Sequence, residues 1–293
     1  MKSQRSDFSL ACGGLCGVRQ GGLSLLLAGV LASRLCGAVL INDDFSKPPF
    51  VDGDLAGQGG WAQDGTIDTF PIQVTSGEVV MPQLTGNHQD VDKAFAVTSV
   101  GGQQVVFAIR VVILNAPTSG PAFFLALEED GPNGFDNFRL AAVETSPGFF
   151  QFRVRATGQS ANPYTTTGAS LPYNTEHIVM GSWNFVSGAE DDYINLFVNP
   201  SSPVEMDNPV YATQVQSASG SDPGGFQSII LSQFESATAK PSSLLVRQVV
   251  VATTFAEAYQ AIIPEPEGWV LLTIGIVGLI VFRRLCRASS QVV

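Results

Sequence analysis

Alternation of apolar and polar residues is strictest in Phe150-Gln-Phe-Arg-Val-Arg-Ala156. It puts Phe150, Phe152 and Val154 on one face of a strand and Gln151, Arg153 and Arg155 on the other. Strand-like runs recur at 72–81, 103–114, 122–128, 137–144, 176–185, 192–199, 227–234 and 244–252. Val105 to Leu114 is nearly all apolar, which predicts a central strand covered on both faces. The runs are separated by Asp130-Gly-Pro-Asn-Gly134, Ser146-Pro-Gly148, Asn199-Pro200 and Asp222-Pro-Gly-Gly225, the residue types that tight turns require. Only 253–260, Thr-Thr-Phe-Ala-Glu-Ala-Tyr-Gln, reads as a short helix. Nine or ten strands without intervening helices predict one all-β domain, a sandwich or jelly roll.

Both ends break this pattern. Lys2, Arg5 and Arg19 precede an apolar stretch, Leu23 to Ala32, whose helix would reach about 15 Å. That is too short for a bilayer and right for a secretory signal peptide, with cleavage after Ala38 and Cys36 and Ala38 as the small pair. Near the other end, Trp269 to Phe282 would form roughly 21 Å of helix against about 30 Å of hydrocarbon. Trp269 at one edge and Arg283, Arg284 and Arg287 at the other supply the interfacial anchors a short span needs. The positive-inside rule puts those arginines in the cytoplasm and residues 39–263 outside it. The expected organisation is a signal peptide at 1–38, an exported sandwich at 39–261 and a C-terminal segment at 262–287. Its single transmembrane helix covers 268–282, and a cytoplasmic tail covers 288–293.

Charge and cysteine sharpen the division. Eight basic and 23 acidic residues fall within 39–263, a balance of −15 that argues against nucleic acid or anionic lipid as a partner. The four cysteines lie at 12, 16, 36 and 286, so the exported part has no disulfide, thiolate metal site or cysteine nucleophile.

Pro264-Glu265-Pro266, a short apolar helix and the Arg283-Arg284 cluster, in that order at the end of a chain with a signal peptide, resemble the PEP-CTERM sorting signal of Gram-negative bacteria. The resemblance implies an exosortase, a membrane cysteine transpeptidase, as a partner that cuts near Pro-Glu-Pro. A second resemblance rests on Asp43-Asp-Phe-Ser46 and Asp52-Gly-Asp-Leu-Ala-Gly-Gln-Gly-Gly-Trp61. Asp191-Asp-Tyr-Ile-Asn-Leu-Phe-Val-Asn-Pro200 and Val249-Val-Val-Ala-Thr-Thr-Phe-Ala-Glu-Ala258 extend it. Together they are similar to PEP-CTERM proteins with a concanavalin A-like, LamG-type jelly roll, and imply that fold without settling an activity.

The chemistry expected of an enzyme is missing from the pattern. Jelly-roll glucanases use Glu-x-Asp-x-x-Glu on one strand, and that spacing does not occur. Glu128-Glu129-Asp130 and Glu190-Asp191-Asp192 read as solvated turn acids, and Asp43, Asp44, Asp52 and Asp54 as turn and strand-start residues. His88 and His177 are far apart and lack metal-ligand spacing. No catalytic residue and no cofactor is therefore expected. Calcium is the one metal worth a candidate set, Asp130, Asn133, Asp136 and Asn137, which also fits an Asx-rich hairpin turn. Trp61 and Trp183 are expected in the core, and Tyr164 and Tyr173 are the candidate rings for stacking on sugars.

The functional expectation is a non-enzymatic surface or exopolysaccharide-matrix protein. It would use the secretion translocon and signal peptidase, then sit in the inner membrane with its domain outside the cytoplasm, and reach the surface or matrix after exosortase processing. The alternative is a carbohydrate-binding, lectin-like module, with a glycan hydrolase or lyase in third place.

Overall fold

The computed structural model describes residues 37–263 apart from 65–69, 84–88, 99–101, 130–135, 157–163, 166–167, 189–190, 216–222 and 234–241. Within them, sixteen strands pair antiparallel into two sheets packed face to face. The first sheet runs in the order β14 (Ala212–Val215), β13 (Tyr193–Val198), β12 (Glu176–Asn184), β7 (Gln104–Asn115), β16 (Ser243–Ala252), β5 (Glu78–Met81), β4 (Gln73–Thr75), β2 (Gly53–Asp54). Strand β1 (Val39–Asp44) also pairs with β16. The second sheet runs β11 (Leu171–Pro172), β10 (Phe149–Ala156), β9 (Asp136–Ser146), β8 (Ala122–Glu128), β15 (Gly225–Leu231), β6 (Asp90–Thr98), β3 (Trp61–Asp64).

Period-two patterning fixes which side chains meet between the sheets. Phe150, Phe152 and Val154 of β10 face inward with Phe138, Leu140 and Ala142 of β9. They meet Phe107, Ile109 and Val111 of β7 and Val249 and Val251 of β16 from the first sheet. The central strand expected at 103–114 is β7, paired on both sides by β12 and β16. Its second face is covered by a helix. Val106 and Ala108 look outward, with Met180, Phe197 and Val250, onto Phe255, Ala258 and Ile262 of α1 (Phe255–Ile262).

Eight residues are too few for a helix to persist alone, so packing holds α1 in place. Thr254 caps it: its hydroxyl accepts from the Glu257 N–H at 3.3 Å and donates to the Glu257 carboxylate at 3.1 Å. Phe255 then packs edge-on against Phe197 with ring centroids 5.1 Å apart.

Three readings of the sequence are corrected. The run 72–81 is two strands, β4 and β5, because Ser76 (φ 53°) and Gly77 (φ 81°) make a left-handed two-residue turn inside it. Strand β6 escapes the pattern because Asp90, Asp92 and Lys93 interrupt its apolar positions. The short strands β1, β2 and β3 likewise raise the total above the nine or ten expected. The signal-peptide span up to Cys36, the span 268–282 and the tail lie outside the described residues, among which no helix is long and apolar enough to cross a membrane.

Candidate functional site

The two sheets differ in what covers them. The outer face of the first sheet is occupied by α1 and, beyond it, by an ionic ladder. Arg110 donates to Glu176 Oε1 at 2.8 Å, and Arg247 reaches Glu176 Oε2 and Glu78 Oε1, each at 2.5 Å. Four strands are linked this way. Partial burial pulls the Glu176 pKa upward, but hydrogen bonds from Arg110 and Arg247, aided by their charges, hold it below the ordinary carboxylate value.

The outer face of the second sheet carries the more varied chemistry. Register places Arg155 of β10 directly across from Arg139 of β9, with Arg153 two residues away on the same side, across from Ala141. The Arg139 guanidinium stands over the Phe123 ring at 4.4 Å, and that of Arg155 over the Tyr164 ring at 5.8 Å. Beneath them Phe123, Ala126, Ala141 and Ile230 form an apolar floor on which Tyr164 packs. Gln151 donates to the Gly168 carbonyl at 2.8 Å. Toward β15, β6 and β3 the same face turns acidic, with Glu128, Asp92 and Asp64. Burial raises the Asp92 pKa, and the nearby Asp64 charge adds to the rise.

Glu128 and Asp192, read as solvated turn acids, are buried instead, and so is Asp43, read as a turn or strand-start residue and found in β1. Asp43 accepts from Trp61 Nε1 at 2.9 Å and pairs with Lys93 at 2.6 Å. Asp192, 1% exposed, accepts from Trp183 Nε1 at 3.2 Å and from the Val186 N–H at 2.7 Å. Glu128, 2% exposed, accepts from Ser228 Oγ at 2.9 Å. A buried indole N–H needs an acceptor, and here a carboxylate near a strand end provides it for each of the two tryptophans. Both indoles lie in the core, as their sequence context implied. Asp44 keeps its turn role, accepting from the backbone N–H and hydroxyl of Ser46.

The two candidate sugar-stacking tyrosines do not share a platform. Tyr164 belongs to the outer face of the second sheet. Tyr173 packs against the inner core, its ring stacked on Phe150 at 5.4 Å and its hydroxyl donating to Glu144 at 3.1 Å. Burial, then that hydrogen bond, pushes the Tyr173 phenol up to about 12. His177 is also internal, edge-on to Phe150 and Phe152 and bonded through Nδ1 to the Asn199 amide, and burial holds its pKa below the ordinary value.

Among the calcium candidates, Asp130 and Asn133 lie outside the described residues, while Asp136 and Asn137 open β9. No cluster of three or more metal-binding His, Cys, Asp or Glu side chains exists among the described residues. Pro264, Glu265, Pro266, Arg283, Arg284 and His88 lie outside those residues too. Ala38 is within them: its N–H donates to Thr253 Oγ1 at 2.8 Å and its carbonyl accepts from the Thr253 N–H at 3.0 Å. The arginine row is only partly legible in the sequence. Its residues alternate outward in the sequence, but only register brings Arg139 beside Arg155.

No protein-family model matches the chain, and no curated protein matches it. Solved structures of similar architecture include the globular domain of Trypanosoma cruzi calreticulin, at 9% identity and a TM-score of 0.47 over 73% of this chain and 88% of that one. An endo-1,3-β-glucanase from Streptomyces sioyaensis has 15% identity and a TM-score of 0.38 over 76% and 98%. The CBM2 module of the evolved Dit of Lactobacillus casei phage J-1 has 11% identity and a TM-score of 0.43 over 74% and 96%. At such identities and scores, the chemistry of this chain must be read from its own residues.

Proposed function

We propose that the chain is a non-enzymatic exported protein, a jelly-roll sandwich of concanavalin A-like type that is tethered and then sorted through its C-terminal segment. One observation carries this reading. Pro264-Glu265-Pro266, a marginal apolar span and Arg283-Arg284 follow one another at the end of a chain that opens with a signal-peptide pattern. An exosortase is the processing partner this implies, in the envelope of a Gram-negative bacterium. The non-enzymatic part is supported by how the buried carboxylates are used: Asp43 and Asp192 hold indoles, and Glu128 holds a serine.

Mass spectrometry of the C-terminus in cells with an active exosortase tests this. Processing near Pro264 is expected. A chain still ending at Val293 there overturns the sorting reading. The double change Pro264→Ala with Glu265→Ala is expected to leave the unprocessed form in the membrane.

A second reading, carbohydrate binding, is favoured by one specific feature: the partly exposed Tyr164 packs on an apolar cluster beside Arg155 on the outer face of the second sheet. An aromatic ring flanked by polar groups suits the faces of a sugar. Retention on a polysaccharide panel, reduced by Tyr164→Ala, is the expected result.

A further inference from the structure

We propose that the loop around Met206 is a membrane contact: while the chain is tethered, Val204, Met206 and Val210 rest on the interface of a bilayer of neutral lipid. This rests on the tethered, exported reading and adds a second attachment, made by the folded domain itself.

Among the described residues, four of the eleven large apolar side chains left exposed fall between 204 and 215. They are Val204, Met206, Val210 and Val215, and Met206 is 92% exposed. Met81 and Met180, in contrast, are buried. Apolar residues scattered singly in water need no explanation, whereas a cluster marks a surface that meets something.

The loop is built to hold this tip out. Asn208, itself buried, accepts from the Ser201 and Ser202 N–H groups at 2.8 and 3.1 Å. Its amide donates to the carbonyls of Ser202 and Val204, each at 2.9 Å. The acids on either side of Met206 are both engaged within the protein. Glu205 accepts from the Ser182 hydroxyl and, at 3.3 Å, from the Gln104 amide, while Asp207 accepts from Ser202 Oγ at 3.2 Å. A thioether is thus left at the apex of a clamped turn, Glu205–Asp207.

The place of the loop says what it meets. Gln104 links it to α1, since its side-chain carbonyl accepts from the Phe255 N–H at 2.9 Å while its amide donates to Glu205. Loop and helix therefore share the outer face of the first sheet. Val215 lies there too, because Ala212, three residues earlier on β14, faces the core. Only five residues, 264–268, separate Ile263 from Trp269, where the apolar run begins. Fully extended, that link reaches about 20 Å. The bilayer is thus held close to the end of α1, and the face carrying α1 and the Met206 loop is brought alongside it. So short a tether gives an effective concentration on the order of mM, so a contact too weak to hold a free domain is populated in a tethered one. Charge sets the kind of lipid. With −15 over 39–263 the domain is repelled by anionic headgroups, whereas valine and methionine need only the apolar interface.

Methyl NMR of isotope-labelled methionines tests this on the full chain in phosphatidylcholine nanodiscs. A nitroxide carried by the lipid near its headgroup is expected to broaden the Met206 signal, assigned by its loss in Met206→Leu, and to spare Met81 and Met180. The broadening should weaken when phosphatidylglycerol replaces part of the neutral lipid. Val204→Asp combined with Val210→Asp, both at exposed positions, is expected to reduce it roughly fivefold. Broadening of Met206 by a water-soluble gadolinium chelate but not by the lipid label overturns the contact and leaves the tether standing. Shielding from both labels also overturns it, since a second copy of the chain would then cover the tip. A chain that does not enter the nanodisc overturns the tethered reading as well.

Discussion

Trp61 donates its indole N–H to Asp43 at 2.9 Å, and the same carboxylate receives Lys93 at 2.8 and 2.6 Å, so one acid on β1 ties together β3 and β6 of the opposite sheet. Replacing Asp43 by alanine leaves a buried indole donor and a largely buried ammonium without their acceptor. The expected loss is about 2–4 kcal/mol of folding stability. Asp43→Asn, which keeps one acceptor for the indole, should lose less. Chemical denaturation of the two variants reads this directly, and equal stability of Asp43→Ala and the parent would remove the anchoring role.

Gly181 in β12 stands opposite Phe107 in β7, and a Cβ there would lie 2.1 Å from the phenyl ring. Phe107 cannot easily retreat, since it is fully buried with its ring 4.9 Å from that of Phe138. Gly181→Ala is expected to destabilise by roughly 1–3 kcal/mol through overpacking. Adding Phe107→Leu should recover part of the loss, and a double-mutant cycle measures the coupling. Additive effects would mean that the ring does not set the requirement.

The ladder through Glu176 gives a pH dependence of one sign. Its folded pKa lies below the ordinary value of 4.5, so its contribution is present above that value and fades as pH falls through the depressed folded pKa. The groups are partly exposed, so the effect is small and screened by salt. Glu176→Gln should narrow the stability difference between pH 7 and pH 3, measured by thermal melts at low ionic strength. A variant whose acid limb is unchanged would remove Glu176 from the account.

Asp92 has the opposite sign. Burial and the Asp64 charge raise its pKa above 3.8, so its protonated form is the one the fold prefers. Its favourable contribution is complete below that value and is lost as pH rises through the raised folded pKa. Asp92→Asn is therefore expected to melt at a higher temperature than the parent at pH 7, the gap closing in acid. A lower melting temperature at pH 7 would refute the sign.

How far the sequence announced this depends on whether information is local. Phe150 to Ala156 announces β10 because a period of two is visible within seven residues, and Val105 to Leu114 announces β7 because both its faces are apolar. The sequence points to a short helix at 253–260 and α1 runs over Phe255–Ile262, close because Thr254 and Glu257 carry a capping signature. Strand β6 was hidden, since Asp92 and Lys93 interrupt its apolar side and find their reasons on other strands. The buried roles of Asp43, Asp192 and Glu128 were hidden likewise. An acid beside a turn looks solvated until the tertiary partner, an indole or a hydroxyl, is known. The arginine row is legible only in part, as its two members on β10 show in the alternation and the third arrives through pairing.

The way α1 ends has a bearing on release. Its closing bonds, from Ile263 N–H to the Tyr259 carbonyl at 3.0 Å and from Gln248 to the Ala261 carbonyl at 2.9 Å, lie upstream of Pro264. The buried anchors Phe255, Ala258 and Ile262 do so as well. A peptidase severing the backbone at Pro264-Glu265-Pro266 would spare all of them, so the liberated product would keep its lid on the first sheet and need no refolding after the cut.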